Sequence, residues 1–198
     1  YEKLKMINLG VLGSTKGTDL QAIINAISEK RLNAKISVVI SNNSQAFILK
    51  RAQKHGLPTK FISHIGKDRN LFDSEIALVL KKYNVEIVLL IGFMRILSSN
   101  FCKEWDKRII NVHPSLLPKY SGGMDTNIHE QVLKNGDKET GCTIHFVTSE
   151  LDAGPILMQS KCQVKSSDTV DTLKERVQQL EGELFIDCIN QLDTSLYE

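Results

Sequence analysis

The sequence predicts an α/β protein on an open, twisted, mixed sheet, with a parallel N-terminal half, an antiparallel C-terminal hairpin, and helices on both faces. Three observations carry this expectation. Short apolar runs alternate with helical-period stretches through the first half of the chain, an order that calls for parallel strands joined by right-handed crossovers. The run Glu86–Ile91 is apolar after its first residue, as strands covered on both faces are. Two later strand-like runs, Gly141–Val147 and Ile156–Val164, lie close enough in sequence to pair as a hairpin.

Each element follows in turn. Ile7–Leu12 is the first strand, closed by Gly13 and Ser14, and Leu20, Ile23, Ile24 and Ile27 then share one helical face. Ile36–Ile40 forms a second strand ended by Ser41-Asn42-Asn43, and Phe47–Lys54 a helix stopped by Gly56 and Pro58. Thr59–Ile62 is a short strand, Leu71–Tyr83 a longer helix, and Glu86–Ile91 leads into Gly92. Arg108–Pro114 holds a strand that its proline ends. Beyond the hairpin, a long helix covers Thr169–Ile189, with Val170, Leu173, Val177, Leu180, Leu184 and Ile186 directed inward. The arrangement is Rossmann-like.

Composition narrows the function. A chain of 198 residues, 41% hydrophobic and 24% charged, has the makeup of one soluble domain spanning 1–198. The net charge is only +2, and acids and bases interleave in Lys103–Arg108, which reads as a solvated face. With no basic stripe and 6% aromatic residues, nucleic acid is not an expected partner. No apolar run reaches the ~18 residues of a membrane span, and residues 1–6 lack the apolar core of a secretory leader. Cys102, Cys142, Cys162 and Cys188 form no CxxC pair, so reduced thiols, no metal and a cytoplasmic location are expected.

Ligands of open α/β sheets bind beyond the carboxyl ends of the strands. There, Gly13-Ser-Thr-Lys-Gly-Thr-Asp19 turns into a helix with free backbone N–H groups and a positive dipole end, a setting for phosphate. It is not a Walker A loop, because Gly13 and Gly17 are separated by three residues and no lysine follows Gly17. GxGxxG is absent too, and Ser41-Asn42-Asn43 offers no acid to an NAD ribose. As plain structure, the stretch is a helix start capped by Thr18 or Asp19. Asn111 and His113, two apart on a strand, share a face. An amide donor beside an imidazole suits a carbonyl oxygen that becomes negative under attack. The alternative is a hydrogen-bonded structural pair. Ser115-Leu-Leu-Pro118 is a stiff apolar loop that should pack against the site or a ligand. Glu150-Leu-Asp-Ala-Gly-Pro155 is an acidic turn whose Asp152 would orient His113 if it reaches it, and is otherwise a turn residue.

Taken together these segments resemble the phosphoribosylglycinamide formyltransferase family. The anchors are Gly17-Thr-Asp-Leu-Gln-Ala-Ile-Ile24, Gly92-Phe-Met-Arg-Ile-Leu97, Asn111-Val-His-Pro-Ser-Leu-Leu-Pro118, Gly141-Cys-Thr-Ile-His-Phe-Val147 and Leu151-Asp-Ala-Gly-Pro155. The resemblance implies formyl transfer from 10-formyltetrahydrofolate, a co-substrate, to the amine of a phosphoribosyl-glycinamide in purine synthesis. It implies that Asn111 binds the formyl oxygen, that His113 acts as a charged general acid, and that Asp152 keeps that ring protonated and orders water. It implies a phosphate site at Lys16, Gly17, Thr18 and Asp19, ribose contacts from Gln178 and Glu181, and a folate pocket of Met94, Arg95, Ile96, Leu97, Asn111 and Arg69. His145 either borders the site or is a hydrogen-bonded sheet histidine. Small-molecule substrates and a monomer or weak homodimer are expected.

Two departures from the family pattern stand out. Asp19 sits where an asparagine is usual, and a carboxylate near phosphate is repulsive unless Lys16 offsets it or Asp19 turns away to cap the helix. Tyr120–His129 is longer than the commoner loop, most of it in residues 121–128. Among rivals, a methionyl-tRNA formyltransferase carries a further RNA-binding domain and a formyltetrahydrofolate hydrolase a further regulatory one. A nucleotide-sugar formyltransferase shares the signature, and a non-catalytic nucleotide-binding α/β module would need no convergence of Asn111, His113 and Asp152.

Overall fold

In the computed structural model the described residues are 6–123 and 125–192, without the side chains of Asp125 and Thr126. Residues 1–5 and part of the lengthened loop, Met124 among it, therefore lie outside the described residues. The chain runs β1 (Ile7–Leu12), α1 (Thr18–Ser28), β2 (Ala34–Ser41), α2 (Phe47–Lys54), β3 (Thr59–Phe61), α3 (Arg69–Lys82) and β4 (Ile87–Leu90). It continues through α4 (Ser99–Glu104), β5 (Ile109–His113), α5 (Asp125–Lys134), β6 (Glu139–Phe146), β7 (Ile156–Gln163) and α6 (Val170–Gln191).

One seven-stranded sheet has the order β3-β2-β1-β4-β5-β6-β7. The pairs from β3 through to β5 are parallel, while β5–β6 and β6–β7 are antiparallel. The mixed sheet expected from the sequence is therefore present. The strands read as unbroken apolar runs because alternate residues enter two separate cores. Leu9, Val11, Val39, Ile87 and Leu89 pack with α1, α2 and α6, whereas Leu12, Val38, Ile40, Val88 and Leu90 pack with α3 and α4. Helix α5 adds Ile128 and Val132 to a small cluster around Leu173 of α6.

Three local readings change. The charged stretch Lys103–Arg108 is not wholly a solvated face, for Trp105 within it is buried and stacks on Phe101 at a centroid distance of 6.0 Å. The cap position of helix α1 is Gly17, whose φ of 69° glycine takes without strain, and no side chain caps the helix, so neither Thr18 nor Asp19 is the cap. On α6, Val170 and Leu180 are only half-buried, and Phe185, Cys188 and Ile189 complete the inward face.

Candidate active site

The strand order reverses at β1, which has β2 on one side and β4 on the other. Crevices at such switch points hold the ligands of open α/β sheets. The segments following β1 and β4 meet there. Ser14 donates its N–H to the Gly92 carbonyl at 2.9 Å, and Gly13 donates to Ile40 at 3.0 Å.

A polar cluster lies next to this crevice, on β5 and β6. Asn111 pairs with His145 across the antiparallel ladder and His113 pairs with Thr143, so these side chains share one face. The Asn111 amide Nδ2 lies 3.2 Å from His145 Nε2. The β6–β7 loop folds back over this face and brings in Asp152. One carboxylate oxygen, Oδ2, is 3.5 Å from His113 Nδ1, and the other, Oδ1, is 3.8 Å from His145 Nε2. Oδ2 also accepts the Gly122 N–H at 2.7 Å. Both histidine side chains are buried, at 5% and 2% exposure, which keeps water from screening these contacts.

The remaining ring nitrogens have partners too. His113 Nε2 faces the Tyr120 carbonyl at 2.9 Å, and His145 Nδ1 faces the Phe146 carbonyl at 3.0 Å. Each nitrogen of His113 thus points at an acceptor, an arrangement filled when both carry protons. Burial holds the His145 ring below the usual histidine range. The Phe146 carbonyl and Asp152 oppose that shift, and His113 adds slightly to it. The two histidines sit against one carboxylate, and burial suits the His145 ring to stay neutral.

On the phosphate side, Lys16 and Thr18 are exposed, and Gly17 and Asp19 are buried. The Lys16 carbonyl accepts from Arg51 Nε at 3.1 Å, which ties the turn to α2. Glu181 is buried on α6 and Gln178 is half-buried one turn before it. Burial pushes the Cys142 thiol of β6 well up, and the Glu181 and Asp19 carboxylates push it further. Helices α1 and α6 approach closely, since a Cβ on Gly182 would come within 2.7 Å of Ala22 Cβ.

On the donor side, Met94 and Ile96 are exposed, whereas Leu97 is buried in the core beneath α3. Arg95 lays its guanidinium over the Phe72 ring at 5.3 Å, and Arg69 is exposed at the first position of α3. The buried Asp73 accepts the Ser98 N–H at 2.5 Å and fixes the far end of the Gly92–Leu97 segment. Burial pushes the Asp73 carboxyl above its usual range, against the Ser98 contacts and, more weakly, Arg69 and Arg95.

A formyl transferase family model matches residues 7–189. A phosphoribosylglycinamide formyltransferase of Escherichia coli strain K12 is 41% identical over 180 residues, covering 90% of this chain and 84% of that protein. The chain belongs to this formyltransferase family. A human trifunctional purine biosynthetic protein adenosine-3 is 45% identical over 186 residues, which is 93% of this chain but 18% of that larger protein. A crystal structure of glycinamide ribonucleotide transformylase 1 from Symbiobacterium toebii superposes with a TM-score of 0.89 at 37% identity, covering 94% of this chain and 87% of that one.

Within this cluster, several groups had no signal in the sequence. The Tyr120 carbonyl and Gly122 N–H act through backbone atoms, which residue identity does not disclose. Tyr120 takes a positive φ of 59°, uncommon outside glycine, and its hydroxyl donates to Asp137 at 2.8 Å. Ser14 looked like part of the phosphate turn, but its side chain faces the other way. The Ser115–Pro118 loop does pack down as its apolar leucines required, with Leu117 buried and its N–H given to Thr143 Oγ1 at 3.0 Å.

Proposed function

We propose that the chain transfers the formyl group of 10-formyltetrahydrofolate to the amine of N1-(5-phospho-D-ribosyl)glycinamide, giving the formylglycinamide ribonucleotide of purine synthesis. The observation that carries this reading is the convergence of Asn111, His113 and Asp152 on one face beside the switch-point crevice. The acceptor amine attacks the formyl carbon, and the carbonyl oxygen gains negative charge. The Asn111 amide donates to that oxygen. As the bond from the formyl carbon to the folate nitrogen breaks, His113 gives that nitrogen a proton. The amine releases one proton to water, and His113 is reprotonated from solvent. Asp152 stabilises the charged ring and sets its orientation. Lys16, Gly17, Thr18 and the turn around Asp19 receive the acceptor's phosphate, with Gln178 and Glu181 at its ribose. Met94, Arg95, Ile96 and Leu97 line the folate pocket largely through backbone groups, and Arg69 meets the folate's carboxylate end.

Formyl transfer from 10-formyltetrahydrofolate to synthetic glycinamide ribonucleotide, followed by the absorbance of the deformylated folate, tests this directly. Water and a nucleotide-sugar amine serve as comparison acceptors. Rapid turnover with glycinamide ribonucleotide alone is the expected result. Faster turnover with the sugar nucleotide would move the acceptor assignment, and turnover with water alone would replace transfer by hydrolysis.

A further inference from the structure

Ser14 lies in the turn that the sequence assigns to phosphate, between Gly13 and Lys16. Its side chain works elsewhere. The hydroxyl donates to Asn42 Oδ1 at 2.6 Å and accepts the backbone N–H of Met94 at 2.9 Å. The Ser14 N–H also holds the Gly92 carbonyl at 2.9 Å, so one residue grips the segment after β4 at two points. The anchor is itself anchored. Asn42, just past the end of β2, gives its Nδ2 hydrogen toward His64 Nδ1 at 3.4 Å, and the His64 ring meets Phe72 edge-on at 6.2 Å. Phe72 is the ring over which Arg95 lies. The path therefore leaves the Gly92–Leu97 segment at Met94 and returns to it at Arg95.

Packing makes this grip specific. Gly92 has φ 59°, and a Cβ there would collide with the Thr15 hydroxyl, so the two segments lie in direct contact. Ser14 is 8% exposed, so its hydroxyl is largely turned away from solvent. Nothing else in the described hydrogen bonding receives the Met94 N–H. Met94 and Ile96 are exposed on the same segment and owe their placement to its backbone.

We infer that Ser14 is a positioning residue for the formyl donor and not a phosphate ligand: it fixes the Met94 segment on which the folate rests. This rests on the donor-site reading above. Removing the hydroxyl takes the acceptor from the Met94 N–H and the donor from the Asn42 carbonyl and frees the segment, while the Ser14 N–H bond to Gly92 and the Lys16–Asp19 turn survive. The signature is a split between substrates, with the donor affected and the acceptor spared.

The test is steady-state kinetics of Ser14→Ala with both substrates, joined to calorimetric titration of tetrahydrofolate and of ribose 5-phosphate. The expected result is a loss of about tenfold in tetrahydrofolate affinity and a matching rise in donor KM, the size of one positioning hydrogen bond lost. Ribose 5-phosphate affinity and acceptor KM should stay within about twofold. Ser14→Thr, which keeps the hydroxyl, should recover most of the donor affinity. Should Ser14→Ala fail to fold, Asn42→Ala decides by the same criterion, with a loss of about threefold on the donor side only. Donor affinity unchanged in the folded variant, or equal losses on both sides, would overturn the role of Ser14. If the unaltered protein binds no tetrahydrofolate at all, the donor-site reading falls, and this role falls with it.

Discussion

Replacing Asp152 by asparagine removes a charge and almost nothing else. The carboxylate lies 3.5 Å from His113 Nδ1, and its side chain is 8% exposed. At an effective dielectric of about 20, unit charges at such a distance interact by roughly 4–5 kcal/mol, an upper bound for the support that Asp152 gives a charged ring. Solvent near the loop and the Gly122 N–H share that charge, so about 3–4 kcal/mol is the working figure, or a rate loss of about 10²- to 10³-fold. The loop geometry should survive, so the loss of stability should stay below that of an alanine variant. Asparagine tolerates the left-handed φ of 53° nearly as well as aspartate, and its amide oxygen still accepts from Gly122. Asp152→Ala is the control with the opposite profile in stability. It loses the loop hydrogen bond, about 1 kcal/mol, and puts a Cβ residue without a local polar partner at positive φ, about 1–2 kcal/mol more. For a domain of this size that lowers Tm by about 5–10 °C. Formyl-transfer kinetics and thermal melts on both variants decide the matter. Asp152→Asn with activity within about threefold of the unaltered protein would refute the electrostatic argument. A melt as low as that of the alanine variant would refute the geometric one.

Further outcomes follow from the same cluster. Asn111→Ala should lower the turnover rate by on the order of 100-fold with little change in Tm, as loss of one oxyanion donor does, and single-turnover rates measure it. Gly17→Ala forces a side chain onto φ 69° and into Ile48, so the acceptor KM should rise by about tenfold while the donor KM holds. His145 makes stability depend on pH. Its folded value lies below the ordinary 6.5, so in that window the unfolded chain binds more protons. Stability should therefore fall as pH drops through and below 6.5, and urea midpoints should show a slope that His145→Gln removes.

The parallel half of the fold was legible because period and punctuation agreed: α2 begins and ends at the residues read for it, and β1 likewise. Helices α4 and α5 were not foreseen. Helix α4 has six residues and runs into the charged stretch that hides Trp105, and among its described residues α5 gives the core Ile128 and Val132 with Leu133 packed beside them. Neither is long enough for a 3.6-residue period to stand out. In the site, Asn111 and His113 could be paired from strand geometry, but Asp152 entered by resemblance, since the loop that carries it folds back by tertiary packing. The Ser14–Met94 bond spans 80 residues of sequence and joins two loops with no shared pattern.

The precision of the cluster comes from strand register. His145 faces Asn111 because β6 runs antiparallel to β5 with Asn111 opposite His145. A slip of one residue would set Ile144 there and turn His145 to the other side of the sheet. Three contacts oppose the slip. The Thr143 hydroxyl donates to the Ser115 carbonyl at 2.7 Å and accepts from Leu117 at 3.0 Å and from Gln159 at 2.9 Å. Gly141 lets the Ser160 carbonyl approach where any Cβ would collide. The Ser115–Pro118 loop therefore acts on the chemistry without touching it. By clamping Thr143, the cross-strand partner of His113, it holds the ladder that places Asn111, His113 and His145 together. Asp152 then arrives from a turn whose Gly154 must also lack a side chain, because the Phe146 carbonyl occupies that space. Because β6 runs antiparallel, it ends beside Ile110 and Ile109, at the end of β5 away from His113, so the loop after it must fold back along the face to bring Asp152 to His113.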